Sequence, residues 1–441
     1  MNPQRFLRLV SGAMAALGIS AAAIVALNLR GEDPLPSAET LKPTPALVAQ
    51  GEYLTRVGNC MACHTVQGGA PFAGGRGIET PFGVVYSSNL TPDKATGLGA
   101  WTSAEFWRAM HNGRGKDGRL LYPAFPYTSY THVTREDSDA IFAYLQSLPP
   151  VAQANKVHAL RFPYSTQAAL GVWRALFFTP ADVAQPAASA PQALATAQVP
   201  DYQRGAYLVN GLGHCAACHT PRNSLGAEQQ GQALAGGLIP VQNWLAPALT
   251  DAGQAGVQRW PQADVVALLK TGVAPQASVI GPMAEVVFRS TQYLSDADAR
   301  AMAVYLQALP QHAATPAKQA VAPASVMERG AKVYEAQCAQ CHGAQGQGAK
   351  DEAGQPAFPP LAGNRAVVLA DPTNLVRVVL QGGYLPATAG NPRPHGMPPF
   401  QHLLGDEDVA AVTTFVRNSW GNQAAGVGTI EVYRARERRS P

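Results

Sequence analysis

Charge is scarce in this sequence of 441 residues: only 14% are Asp, Glu, Lys or Arg, and the formal net charge is +4. No Lys/Arg stripe runs along it, which argues against nucleic acid as a partner. No nucleophile stands paired with a base. Gly68-Gly69 and Gly74-Gly75 are short glycine turns without the strand–helix setting of a phosphate loop. Cysteine is limited to six residues. None is left for a disulfide or a catalytic thiol once the motifs below are counted.

All six fall into three copies of Cys-x-x-Cys-His: Cys60/Cys63/His64, Cys215/Cys218/His219 and Cys338/Cys341/His342. This is the attachment pattern of c-type haem. Two thiols on one side of a helical turn become thioethers to the vinyl groups, and the adjacent His becomes the proximal iron ligand. A redox dithiol or half a zinc ribbon also uses Cys-x-x-Cys, but neither explains a His after every pair. Three covalent haem c groups are therefore expected, outside the cytoplasm.

The first cysteines lie 155 and 123 positions apart (215−60 and 338−215). That leaves about a hundred residues per haem, the size of a small domain. With 42 Gly and 36 Pro, much of each domain is expected as loop packed on a haem face. A short helix pattern precedes each motif, at Gly51-Glu52-Tyr53-Leu54, Gly205-Ala206-Tyr207-Leu208 and Gly330 to Tyr334. An amphipathic helix with an acidic start follows, at Glu136 to Leu145, Asp296 to Leu306 and Asp406 to Val416. A further helix is expected over Ser103 to Asn112. The fold class is all-α: three tandem class I cytochrome c domains with long irregular loops, at 46–150, 200–312 and 324–424. An N-terminal segment (1–33) and a connecting segment (151–199) complete the chain. Pro34–Pro45, Ala184–Pro200 and Ala313–Pro323 read as linkers. Phe162 to Phe178 is too apolar for a free linker; it is expected to pack on a haem edge or a partner protein, or, the favoured reading, within the molecule. The basic end, Arg434 to Arg439, reads as a solvated tail.

Arg5 and Arg8 precede a charge-free run from Leu9 to Leu29. At about 1.5 Å per residue the run reaches about 31 Å, enough to cross a bilayer. Cations before it keep the N-terminus in the cytoplasm and export the rest. Two readings stand open, a retained anchor and a signal peptide cleaved after the small residues Ala21-Ala22-Ala23.

Thioether sulfur favours ferrous iron and raises the potential. Met283, in Gly281-Pro282-Met283, lies 64 residues after His219 (283−219), and Met397, in Gly396-Met397-Pro398-Pro399, lies 55 after His342 (397−342). Both sit in stiff loops ahead of the last helix and are the expected sixth ligands. The matching loop of the first domain holds Phe125, which cannot bind iron. His132 is one candidate there and an open or water-bound iron is another. His111, His158 and Met110 are further ones, although Met110 lies on a predicted helix as a core residue.

At this point the chain resembles a family, the trihaem cytochrome c subunits of bacterial membrane-bound dehydrogenases. The resemblance runs from Gly51 to about Trp420. It is carried by Thr80-Pro81-Phe82-Gly83, Ser87-Ser88-Asn89-Leu90-Thr91-Pro92-Asp93, Leu121-Tyr122-Pro123-Ala124 and Gly396-Met397-Pro398-Pro399-Phe400. It implies an electron-transfer subunit, not catalytic alone, on the periplasmic side of the inner membrane. The implied partners are a dehydrogenase large subunit of flavin, PQQ or molybdenum type, with or without a small subunit, and ubiquinone or a terminal oxidase. The family usually has Met where this chain has Phe125, and many members carry a C-terminal amphipathic anchor that residues 421–441 do not reproduce. Two other readings compete: a multihaem peroxidase-like enzyme with an open first haem, and a free periplasmic shuttle.

Overall fold

The computed structural model describes residues 3–32, 41–185, 188–311, 322–352, 354 and 356–437. The linker readings at Pro34–Pro45 and Ala313–Pro323 fall mainly outside them, as do Arg438 and Arg439. Among the described residues there are eighteen α-helices, and no sheet exceeds three strands. The chain forms two compact units: Met1–Thr55, Cys60–Gln185 and Asn223–Ala227 in one, and Arg56–Asn59, Pro186–Arg222 and Glu228–Pro441 in the other.

The first unit carries α1 (Pro3–Asn28), α2 (Pro45–Val57), α3 (Cys60–His64), β1 (Gly77–Thr80), β2 (Gly83–Tyr86), α4 (Ser103–Asn112), α5 (Tyr127–Tyr130), α6 (Arg135–Ser147), β3 (Ala159–Leu160) and α7 (Gln167–Phe177). The second begins with α8 (Val199–Ala206), a π-helical stretch Tyr207–Leu212, α9 (Ala216–His219), β4 (Gly237–Ile239), β5 (Trp244–Ala246), α10 (Gln262–Thr271), β6 (Val273–Ala274), β7 (Ala277–Ser278), α11 (Pro282–Arg289) and α12 (Asp296–Gln307). It continues with α13 (Ala324–Gln337), α14 (Ala339–His342), β8 (Ala349–Lys350), β9 (Pro356–Phe358), α15 (Arg365–Val368), α16 (Thr373–Gln381), β10 (Gly383–Tyr384), β11 (Gly396–Met397), α17 (Asp406–Arg417) and α18 (Thr429–Glu437). The loops expected to be irregular thus hold small antiparallel hairpins.

One helix crossing recurs three times. Gly51 lies against Ala140 and Tyr144, Gly205 against Ala301 and Tyr305, and Gly330 against Ala411 and Phe415. A Cβ on these glycines would stand only 2.8, 2.8 and 2.6 Å from the Cβ of Tyr144, Tyr305 and Phe415. The absent side chain is what lets the leading helix reach the last one. The acidic starts of the last helices do two jobs. They face the helix dipole, and they bond to the leading helix. Arg204 donates to both Asp298 oxygens at 2.8 and 2.9 Å. Arg329 pairs with Asp408 at 2.8 Å, and Gln50 Nε2 donates to Asp137 at 2.9 Å. Thr134 and Ser295 cap α6 and α12 by accepting from the amides of Asp137 and Asp298.

The expectation of a solvated basic tail is corrected in part. Residues 429–437 form α18, whose Val432 and Ala435 are buried with Val376, Leu380, Val409 and Ala410. Arg436 pairs with Asp406 at 2.8 Å. Short spacing hid this: one apolar pair three residues apart between charges gives little amphipathic signal. In the 162–178 stretch, Leu170, Arg174 and Phe178 are buried while Phe162 is exposed. α4 forms over the predicted residues, capped by a reciprocal Thr102–Glu105 box. Met110 is core, 4% exposed.

Candidate haem-binding frames

Each Cys-x-x-Cys-His run folds as one short helical turn, in α3, at Cys215 leading into α9, and at Cys338 leading into α14. The imidazoles are then held alike. His64 Nδ1 lies 2.7 Å from the Ser88 carbonyl, His219 Nδ1 2.7 Å from that of Pro247, and His342 Nδ1 3.0 Å from that of Pro359. A carbonyl only accepts, so Nδ1 donates and Nε2 keeps the lone pair that a metal uses. Burial pushes all three imidazole pKa values down, partly offset by these bonds. The rings are therefore neutral at pH 7, as ligation requires.

The supporting backbone repeats as well. The amides of Gly74, Gly236 and Gly348 donate to the carbonyls of His64, His219 and His342 at 2.8, 2.7 and 2.9 Å. These glycines have φ of +75°, +79° and +69°, and a Cβ on any of them would strike the segment that supplies the imidazole's acceptor. Thr65 and Thr220 each accept an amide at 3.0 Å, from Phe72 and Leu234. Arg76 and Arg222 donate to the carbonyls inside the motifs, at Ala62 and Ala217. The third frame differs: Gly343 follows its His, and Tyr334 donates to the Gly343 carbonyl at 2.6 Å.

Burial, then the neighbouring thiol, raises Cys60 and Cys215 to about 12 and Cys338 to about 11. Paired thiols beside an imidazole whose Nε2 keeps its lone pair fit c-type haem, as donors for two thioethers and one iron ligand.

The loops that hold the expected sixth ligands lie beside the strand leading to each histidine's acceptor. In the second frame Gly281, at φ +56°, packs on the Trp244 ring, three residues before Pro247. Met283 is half-buried in the first turn of α11. In the third, His395 stacks on Phe358 at 4.6 Å, next to Pro359, and half-buried Met397 pairs with Gly383 in the β10–β11 hairpin. In the first, Tyr122 contacts His158 edge-on at 5.1 Å, and His158 Nδ1 accepts from the Tyr86 amide at 3.1 Å, two residues before Ser88. That bond commits one nitrogen of His158. His111 is buried in α4 and stacked on Trp107 at 4.5 Å. His132 is half-buried just after α5, its pKa lowered by burial. Phe125 lies against Tyr130, with ring centroids 5.4 Å apart.

Several site residues carried no motif signal. Tyr130 is pushed well above its usual pKa by burial, then by Cys60 and Cys63. Burial also raises Tyr305 and Tyr334, with smaller contributions from Cys215 and Cys338. A tyrosine thus attends each cysteine pair. The acceptors Ser88, Pro247 and Pro359 act through backbone, which any residue supplies. Only the Ser88 segment had a visible motif: buried Asn89 donates to Thr96 and Val151 and accepts from Thr91, fixing the turn that presents Ser88. Within the second unit, Arg377 is fully buried, its guanidinium 4.7 Å from the Trp244 ring centroid. Asn374 exchanges hydrogen bonds with the Leu245 backbone at 2.9 and 2.7 Å. The second and third frames are thereby braced beside the Gly281–Met283 loop.

The Cytochrome c family model matches residues 48–149, 202–310 and 327–420. The chain is 38% identical to the alcohol dehydrogenase (quinone) cytochrome c subunit of Gluconacetobacter polyoxogenes, over 92% of this chain and 87% of that one. It is 39% identical to the gluconate 2-dehydrogenase cytochrome c subunit of Pantoea cypripedii, over 88% of each. It is 35% identical to the fructose dehydrogenase cytochrome subunit of Gluconobacter japonicus, over 90% of this chain and 85% of that one.

Proposed function

The chain belongs to the cytochrome c family, among the cytochrome c subunits of dehydrogenases, and we propose that it carries three haem c groups in series between a periplasmic dehydrogenase and membrane ubiquinone or a terminal oxidase. Haem c supplies reversible one-electron exchange. Cys60, Cys63, Cys215, Cys218, Cys338 and Cys341 hold the thioethers. His64, His219 and His342 ligate through Nε2. Met283 and Met397 offer sulfur in the second and third domains, which raises the potential there.

The observation that carries this reading is the imidazole–carbonyl bond repeated three times at 2.7, 2.7 and 3.0 Å. It fixes each tautomer and raises ligand basicity. Arg76, Arg222 and Tyr334 brace the turns by donating to carbonyls in or beside them. Selection of substrate belongs to the catalytic partner.

The test uses protein extracted from its membrane. An alkaline pyridine spectrum returns three haem c per chain, a dehydrogenase large subunit co-purifies, and that enzyme's substrate reduces the haems. Two or fewer haems in matured protein overturn the count. Phe125 favours one competing reading, an open first haem with peroxidase-like chemistry. A rapid spectral change with peroxide or carbon monoxide at one haem would support that reading instead.

A further inference from the structure

The two ends of α1 meet different surroundings. Over Ser11–Asn28 its mean hydropathy is 1.6, and only 6% of that window is buried. Met14, Leu17, Ile19 and Val25 stand 58–71% exposed. The twenty residues from Leu9 to Asn28 reach about 30 Å, the thickness of a bilayer core. An apolar surface of this extent belongs in lipid.

The last turn is instead a buried polar joint. Asn28 is 8% exposed. Its Nδ2 donates to the carbonyls of Ile24 and Gly171, both at 2.8 Å, and its Oδ1 accepts from Arg174 Nε at 3.1 Å. Arg174, 2% exposed, also donates to the Asn112 carbonyl, and its guanidinium lies 4.6 Å from the ring centroid of Phe178. Arg114 donates to the Asn28 carbonyl at 2.8 Å and pairs with Glu32 at 2.8 Å. Asn112 Nδ2 reaches the Gly31 carbonyl at 2.8 Å. These partners come from α4, the turn after it, and α7, 81 to 146 residues away. A segment discarded at export has no use for such a joint. Ala21-Ala22-Ala23, the small-residue stretch that would suit a signal peptidase, lies inside the unbroken helix, five residues before the joint.

We propose that α1 stays on the mature protein as a membrane span. Its C-terminal end, Asn28, and the turn after it, to Glu32, form a rigid joint that fixes the first cytochrome domain at the outer face of the bilayer. This rests on the reading of the chain as an exported electron-transfer subunit. Removing the joint would leave Arg174 and Asn112 buried with lost partners.

Intact mass of the haem-loaded protein, extracted with detergent after a carbonate wash, tests retention. The expected mass keeps α1; a mature chain beginning after Ala23 overturns the proposal. Full-length Asn28→Ala tests the joint by hydrogen exchange. Amides at 28–32 and in α7 should exchange about tenfold faster, with α17 unchanged. Unaltered exchange at 28–32 overturns the joint. Haem content of the same samples reports separately on the electron-transfer reading. Three haems on an N-terminally cleaved chain would sink the joint and leave that reading standing.

Discussion

Gly205→Ala discriminates between two opposite expectations. Helix propensity alone predicts that alanine in α8 stabilises by about 1 kcal/mol. The crossing with α12 predicts the reverse. A Cβ at Gly205 would lie 2.8 Å from the Tyr305 Cβ and 2.6 Å from the Ala301 carbonyl carbon, with the carbonyl oxygen closer still. Ordinary contacts begin near 3.4 Å, and the obstacle is backbone, which cannot rotate away. The helices must part, and overpacking of this kind costs about 1–3 kcal/mol. Backbone contact places the cost at the upper end, so the net loss after the propensity gain is about 2 kcal/mol. The second unit exceeds 200 residues; at about 2–4 °C per kcal/mol, its unfolding midpoint falls by about 4–8 °C. Scanning calorimetry of haem-loaded protein reads this directly. Gly330→Ala, at the same crossing in α13, should behave likewise. An unchanged or raised midpoint in both variants would refute the close-crossing argument and leave propensity in command.

Phe125→Met should add sulfur–iron charge-transfer absorbance and raise the potential of the first haem, measured by a spectroscopic redox titration. His132→Ala converts that haem to high spin if His132 is its sixth ligand, and an unchanged spectrum removes His132 from consideration. A further prediction concerns acid. Burial, then Arg119, lowers the pKa of His158 below its ordinary 6.5, and its Nδ1 accepts from the Tyr86 amide. A histidine depressed in the fold contributes stability above its unfolded pKa and loses it as pH falls from about 6.5 toward the folded value. The midpoint of the first unit should therefore drop between pH 7.5 and 5.5, and His158→Ala, which lacks the acceptor, should show a shallower slope. Equal slopes would show that protonation elsewhere drives the loss.

The clustering of two thiols and an imidazole on one turn was legible in the chain. Cys-x-x-Cys-His places two thiols and an imidazole on one turn wherever it occurs, because helical spacing is local. The acidic starts at Asp296 and Asp406, and the helix over Ser103–Asn112, were legible for the same reason: caps and periodicity act within a few residues. α18 was missed because its two buried residues, Val432 and Ala435, gain meaning only against Val376 and Val409 from two other helices. The fate of Asn28 also lay beyond local reading. The Gly171 and Arg174 groups that hold its side chain are more than 140 positions away, and an Asn at the end of an apolar run looks alike in a signal peptide and an anchor. Which nitrogen of His64, His219 and His342 keeps its lone pair free was set by tertiary structure alone. The deciding carbonyls of Ser88, Pro247 and Pro359 lie 24, 28 and 17 residues from their histidines. A backbone carbonyl leaves no mark in the sequence, so its role appears only when the chain folds back and a glycine lets it come close.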